Sequence, residues 1–257
     1  MIELLQRKPA LELNETFASF IIASQQIRYD PSVNGSIYES GEIIYLNNDS
    51  PEPKAITQEE SDTLNREAIE EYKSRRDHID IISDIQTFKS SSLYQCTLTD
   101  IHTYASNLGT SIKELSNSMN WPSVIFLLDY SIHWSYQDND YEPVRKALDY
   151  LKHIGVDQNF NGGINTNGSD LETFVEHLFW LVRCNGSLPN CYFSGNGSKT
   201  MGTICKQGNI HLEFYSEEEK NNFRKVANRI GIIEIRDAVC DEKFSETGSI
   251  EGRQITL

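Results

Sequence analysis

The chain has 257 residues, of which 38% are hydrophobic and 10% aromatic, so it is long enough to bury a core and too rich in aromatics for a disordered segment. Its formal net charge is −15, from 38 acidic and 23 basic side chains. That balance argues against holding nucleic-acid phosphates, and no apolar run approaches the length of a membrane-spanning helix.

Residues 17–46 alternate apolar and polar side chains and are punctuated by Asp30-Pro31, Asn34-Gly35 and Ser40-Gly41, which predicts short strands joined by turns. "NNDSPEPKA", 47–55, has the composition of a linker. At Thr57 the pattern turns helical, because Thr57 with Glu60 three residues on forms a capping box. The following run, to about residue 85, carries Leu64, Ala68 and Tyr72 as a narrow apolar stripe.

From Leu98 to about Gly186 the reading is a helical block, with Gly109, Gly155 and Gly186 where helix C-caps belong and Ser169 or Asp170 as the cap of its last helix. "PSVIFLLDYSIHWS", 122–135, is read as one of these helices. Beyond residue 187 the period changes. "NCYFSG", "KTMGTIC" and "NIHLEFY" read as strands, followed by the helix "SEEEKNNFRKVANRIG" and the strand "IIEIR". The tail from Asp241 is polar, and a frayed end is expected there.

These elements define an α+β protein: a helical central block with a C-terminal antiparallel β-meander crossed by one helix, and a short N-terminal strand-rich segment. The predicted segments are 1–55, strand-rich with a linker; 56–186, helical; 187–240, antiparallel β plus helix; and 241–257, a polar tail.

"SGNGSKT", 194–200, resembles a phosphate-binding loop only at first sight. Ending that template on Thr200 puts Phe193 and Ser198 where its two glycines belong, and strands rather than a helix follow. A hairpin turn is expected instead. Residues 101–120 have the outline of a helix-turn-helix, but the second helix offers only Lys113 beside Glu114. Two packed helices are expected there, with no nucleic acid bound.

The five cysteines are Cys96, Cys184, Cys191, Cys205 and Cys240. Their odd count and wide spacing, with no signal peptide, point to reduced thiols in a cytoplasm. Cys184, Cys191 and Cys205 lie near His177 and His211 in sequence but lack the tight pairs of structural zinc sites. They are the metal candidates by proximity, while the expectation is no metal and no cofactor.

Asp129 and His133, spaced i,i+4 on the predicted helix 122–134, are the candidate catalytic pair, with the neighbourhood of Cys184 and His177 as the alternative. On helix 170–184, Thr173, His177 and Trp180 fall opposite the core stripe, so they are the candidate partner-binding residues. The combined reading is an acidic interaction protein that binds a basic protein partner, of an immunity or inhibitor type. An enzyme of an unrecognised family is the alternative.

Overall fold

A computed structural model describes residues 1–45, 53–78, 88–129, 132–135, 138–186, 188, 190–235 and 239–254. The chain forms two compact units, one of Met1–Ile21 with Ile79–Leu257 and one of Ile22–His78. In this division residues 1–21 join residues 79–257, whereas the sequence reading set four consecutive segments.

The chain opens with β1 (Ile2–Leu5), α1 (Arg7–Glu12) and α2 (Glu15–Tyr29), so 17–29 is helix and not strand. The first part of α2 explains the correction. Phe17, Ala18, Ser19, Phe20 and Ile21 are all buried, and this consecutive burial is that of a helix enclosed by packing, not of an alternating strand. The smaller unit then holds α3 (Pro31–Asn34), an antiparallel hairpin of β2 (Ile43–Tyr45) and β3 (Pro53–Ala55), and α4 (Gln58–Arg75). The Thr57–Glu60 capping box forms as the sequence predicts. The predicted continuation of α4 to residue 85, and most of the linker, lie outside the described residues.

The larger unit continues through β4 (Ser90–Gln95), α5 (Ile101–Ser118), β5 (Val124–Leu128), α6 (Glu142–His153), β6 (Gly163–Thr166) and α7 (Gly168–Cys184). It closes with β7 (Cys191–Gly195), β8 (Thr200–Ile204), β9 (Ile210–Phe214), α8 (Glu217–Arg229) and β10 (Ile233–Ile235). Among the described residues, eight strands form one sheet in the order β1-β6-β5-β7-β8-β9-β4-β10. Every neighbouring pair is antiparallel. The α+β class and the β7-β8-β9 meander followed by α8 are as expected, and the helical middle of the chain contributes β5 and β6 to the same sheet.

The segment 122–134 is not a helix. Its apolar run Val124–Leu128 is a strand buried on both faces. Val124, Phe126 and Leu128 enter the larger core with α5, α7 and α8, whereas Ile125 and Leu127 meet Leu11, Phe17 and Phe20 of α1 and α2. A continuous run of five apolar residues suits a doubly covered strand as well as a buried helix, and only the sheet decides between them.

Residues 101–118 form one helix, and its stripe of Tyr104, Ala105, Leu108, Ile112 and Leu115 runs unbroken past Gly109. Gly109 does not end the helix. It lets α7 approach, since a Cβ there would lie 2.3 Å from the Glu172 carbonyl oxygen. Helix α7 starts at an Asn167 cap, two or three residues before the predicted one, and ends at Asn185. Gly155 does terminate α6, with φ +93°. No described helix is long and apolar enough to cross a membrane.

Candidate metal and thiol centre

The β8–β9 connection turns back in five residues, 205–209. The Cys205 N–H donates to the Asn209 carbonyl at 3.0 Å, and the Gly208 N–H donates to the Cys205 carbonyl at 2.8 Å. Gly208 has φ +78°, and a Cβ there would lie 2.6 Å from the Tyr104 ring, so the turn needs glycine twice over. Two side chains clamp its carbonyls: Tyr104 Oη donates to Gly208 O at 2.8 Å, and Arg183 Nη1 donates to Lys206 O at 2.8 Å. On β9, Ile210, Leu212 and Phe214 point into the core. The alternation of a strand sends Asn209 and His211 to the other face, next to Cys205.

Onto this turn the C-terminal segment lays Cys240. Cys205 Sγ and Cys240 Sγ lie 3.3 Å apart, and Cys240 Sγ is 3.5 Å from His211 Nε2. The three ligand atoms all fall within 4.8 Å of one another. Asn209, fully buried, donates its amide N–H to Cys240 Sγ at 3.0 Å, and Lys243 Nζ donates to Asn209 Oδ1 at 2.5 Å and to Gln95 Oε1. All three candidate ligands are half-buried.

As far as residue 254, the segment that brings Cys240 is packed, in contrast to the frayed end expected for 241–257. Its polar sequence hides a buried ion pair: Glu242 makes a bidentate contact with Arg183, at 2.9 and 3.0 Å, and their side chains are 10% and 3% exposed. Phe244 lies under the Arg183 guanidinium and edge-on to Tyr104. Further on, the Gln254 N–H donates to the Cys184 carbonyl, and the Gly186 N–H donates back to the Gln254 carbonyl.

Burial pushes the Cys205 thiol up to about 12, helped by the adjacent Cys240. Burial also lowers the His211 and Lys243 values, although both thiols act to raise Lys243. In the metal-free centre both shifts favour the uncharged forms of Cys205 and His211. A tetrahedral zinc ion, with Zn–S of about 2.3 Å and Zn–N of about 2.0 Å, places S and N about 3.5 Å apart and two sulfurs about 3.8 Å apart. The Cys240–His211 distance meets that figure, and the sulfurs need to separate by about half an ångström.

The chain matches no family model, no curated protein and no solved structure.

Of the sequence-predicted metal candidates, only Cys205 reaches this centre. Cys184, at the end of α7, is buried with its Sγ 3.5 Å from the Glu251 carbonyl, and Cys191 is buried in β7. Burial raises both thiols, Cys184 to about 11. His177 stacks on Tyr150 with ring centroids 4.3 Å apart, so the Cys184–His177 neighbourhood does not share the cluster.

Asp129 follows β5 and donates its N–H to the Asn190 carbonyl, so the helical spacing that paired it with His133 does not exist. Trp180 is 5% exposed and packs against His102, Tyr141 and Phe179, so it belongs to a second packing layer and offers no free aromatic face. Thr173 is exposed and donates to the Ser169 carbonyl within its own helix. Sequence reasoning missed Cys240, Asn209 and Lys243. The legible signal was a cysteine and a histidine six positions apart around Gln207-Gly208-Asn209, a turn that folds both onto one face.

Proposed function

We propose that this protein binds one divalent transition-metal ion, zinc by its donor chemistry, through Cys205, His211 and Cys240. The observation that carries the reading is the convergence of two sulfurs and an imidazole nitrogen within 4.8 Å, from a hairpin and a distant segment. Thiolate and imidazole donors in this number suit zinc and other borderline or soft ions, and not magnesium or calcium. The Asn209 amide and the Lys243 ammonium supply the outer contacts that orient a ligand sulfur and offset its charge. A bound ion would tie the C-terminal segment to the β8–β9 turn, adding metal affinity to the stability of that end of the sheet.

Cobalt substitution tests this. A thiolate-to-cobalt charge-transfer band with tetrahedral d–d absorption is expected in the wild type and lost in Cys205→Ser and Cys240→Ser. Absence of the band, or a band unchanged in both variants, contradicts the reading.

A second reading, of a metal-dependent hydrolytic enzyme, is favoured by one observation. His211 also lines a cavity of about 740 Å³, shared with Leu93, Glu213, Lys220, Arg224 and Glu234. Glu213, a half-buried carboxyl raised by burial, lines the same cavity and is the proton-transfer candidate of this reading. Exogenous azide that perturbs the cobalt spectrum would support an ion with a position open to ligands; an unchanged spectrum would exclude it. The expectation of a basic protein partner stands on the net charge alone, now that Trp180 is packed, and its check is a complex that weakens as salt rises.

A further inference from the structure

We infer that Cys205 and Cys240 are a reactive dithiol that a hydroperoxide converts into a disulfide, a modification site that goes beyond metal binding and needs no bound ion. The two sulfurs are in direct contact at 3.3 Å, and both residues are half-buried, so a small oxidant has access and only side-chain rotation is needed to close the bond. Their surroundings differ, and that difference sets the order of events. Cys240 Sγ accepts the Asn209 amide N–H and lies 3.5 Å from His211 Nε2. The Lys243 ammonium, through Asn209 Oδ1, polarises the same amide. These contacts single out Cys240 as the sulfur that attacks first, with Cys205 Sγ touching it and placed to resolve the intermediate.

In the first step the Cys240 sulfur attacks the distal oxygen of the hydroperoxide. An S–O bond forms, the O–O bond breaks, the alcohol leaves with the proton that Cys240 gave up, and sulfur is oxidised to a sulfenic acid as the peroxide is reduced. In the second, the Cys205 sulfur attacks Cys240 Sγ. The S–S bond forms, the S–O bond breaks, and hydroxide leaves with the Cys205 proton as water. Overall, two thiols and one hydroperoxide give one disulfide, one alcohol and one water. A bound metal ion would hold both sulfurs as ligands, so oxidation and metal occupancy exclude each other.

The experiment treats the full chain, freed of metal by a chelator, with hydrogen peroxide, then counts thiols under denaturing conditions and maps the peptides by mass. The thiol count is expected to fall from five to three, with Cys205 and Cys240 in one linked peptide pair that has lost two hydrogens and is released by dithiothreitol. Cys240→Ser and Cys205→Ser are expected to give no linked pair. An unchanged count, over-oxidation without a linked pair, or a link to Cys96, Cys184 or Cys191 would each overturn the inference. Metal content measured on untreated protein reports separately on the metal reading, so the two fail independently.

Discussion

Two sets of cysteines in one molecule face different chemistry. Cys96, Cys184 and Cys191 are each buried, with burial raising every thiol, Cys96 and Cys184 to about 11. They serve as small apolar side chains. Cys205 is pushed up as well, so a raised thiol alone does not separate the sets. What separates them is company: a second sulfur at 3.3 Å, an imidazole at 3.5 Å from that sulfur and an amide N–H at 3.0 Å. A solitary buried cysteine has only packing to offer; the clustered pair has the geometry that both proposals require.

The contrast breaks most completely if the segment carrying Cys240 is released. Arg183→Ala strands the Glu242 carboxylate beside the core, and loss of one partner of a buried pair costs about 3–5 kcal/mol. Urea denaturation of the metal-free protein is expected to show that loss, and metal affinity is expected to fall with it. Asn209→Ala leaves all three ligands in place but removes the donor to Cys240, and a metal affinity about 10-fold weaker is expected by competition with a chelating dye.

Acid acts on the same anchor. Burial alone would raise the Glu242 carboxyl, but its hydrogen bonds from Arg183 and the Phe244 N–H outweigh that and hold it below the usual carboxylate value. A lowered folded value means that the contribution is complete above the unfolded value and lost as pH falls through the folded one. The wild-type urea midpoint is therefore expected to drop on acidification, and Glu242→Gln, already lacking the charge, is expected to show a smaller drop. The smallest effect falls on the other cysteines. Cys191→Ala removes one buried sulfur, so a stability loss of about 1 kcal/mol with unchanged metal content is expected.

Local signals in the sequence carried much of the fold. The Thr57–Glu60 capping box, the Gly195–Ser198 turn, the strands around it and the helix behind Ser216 are set by neighbouring residues, and they formed as read. The failures share a cause: each depends on what packs against the segment. Val124–Leu128 is a strand because α5 and α7 cover one face and α1 and α2 the other. Gly109 sits inside a helix because the backbone of α7 needs its missing side chain. The tail packs because Arg183, far back in the chain, supplies a partner for Glu242. The candidate centre was half legible for the same reason. A turn places Cys205 and His211 together, but Cys240 stands 35 residues beyond Cys205 and is held there by distant contacts, that buried ion pair among them.

Metal content of the purified full chain, by elemental mass spectrometry after exhaustive dialysis against zinc, tests the central claim most directly. About one zinc per chain in the wild type and in Cys184→Ala and Cys191→Ala, falling to near zero in Cys205→Ser, His211→Ala and Cys240→Ser, is the result expected of a single three-residue centre. Zinc absent from the wild type, or retained equally by all six proteins, would contradict it.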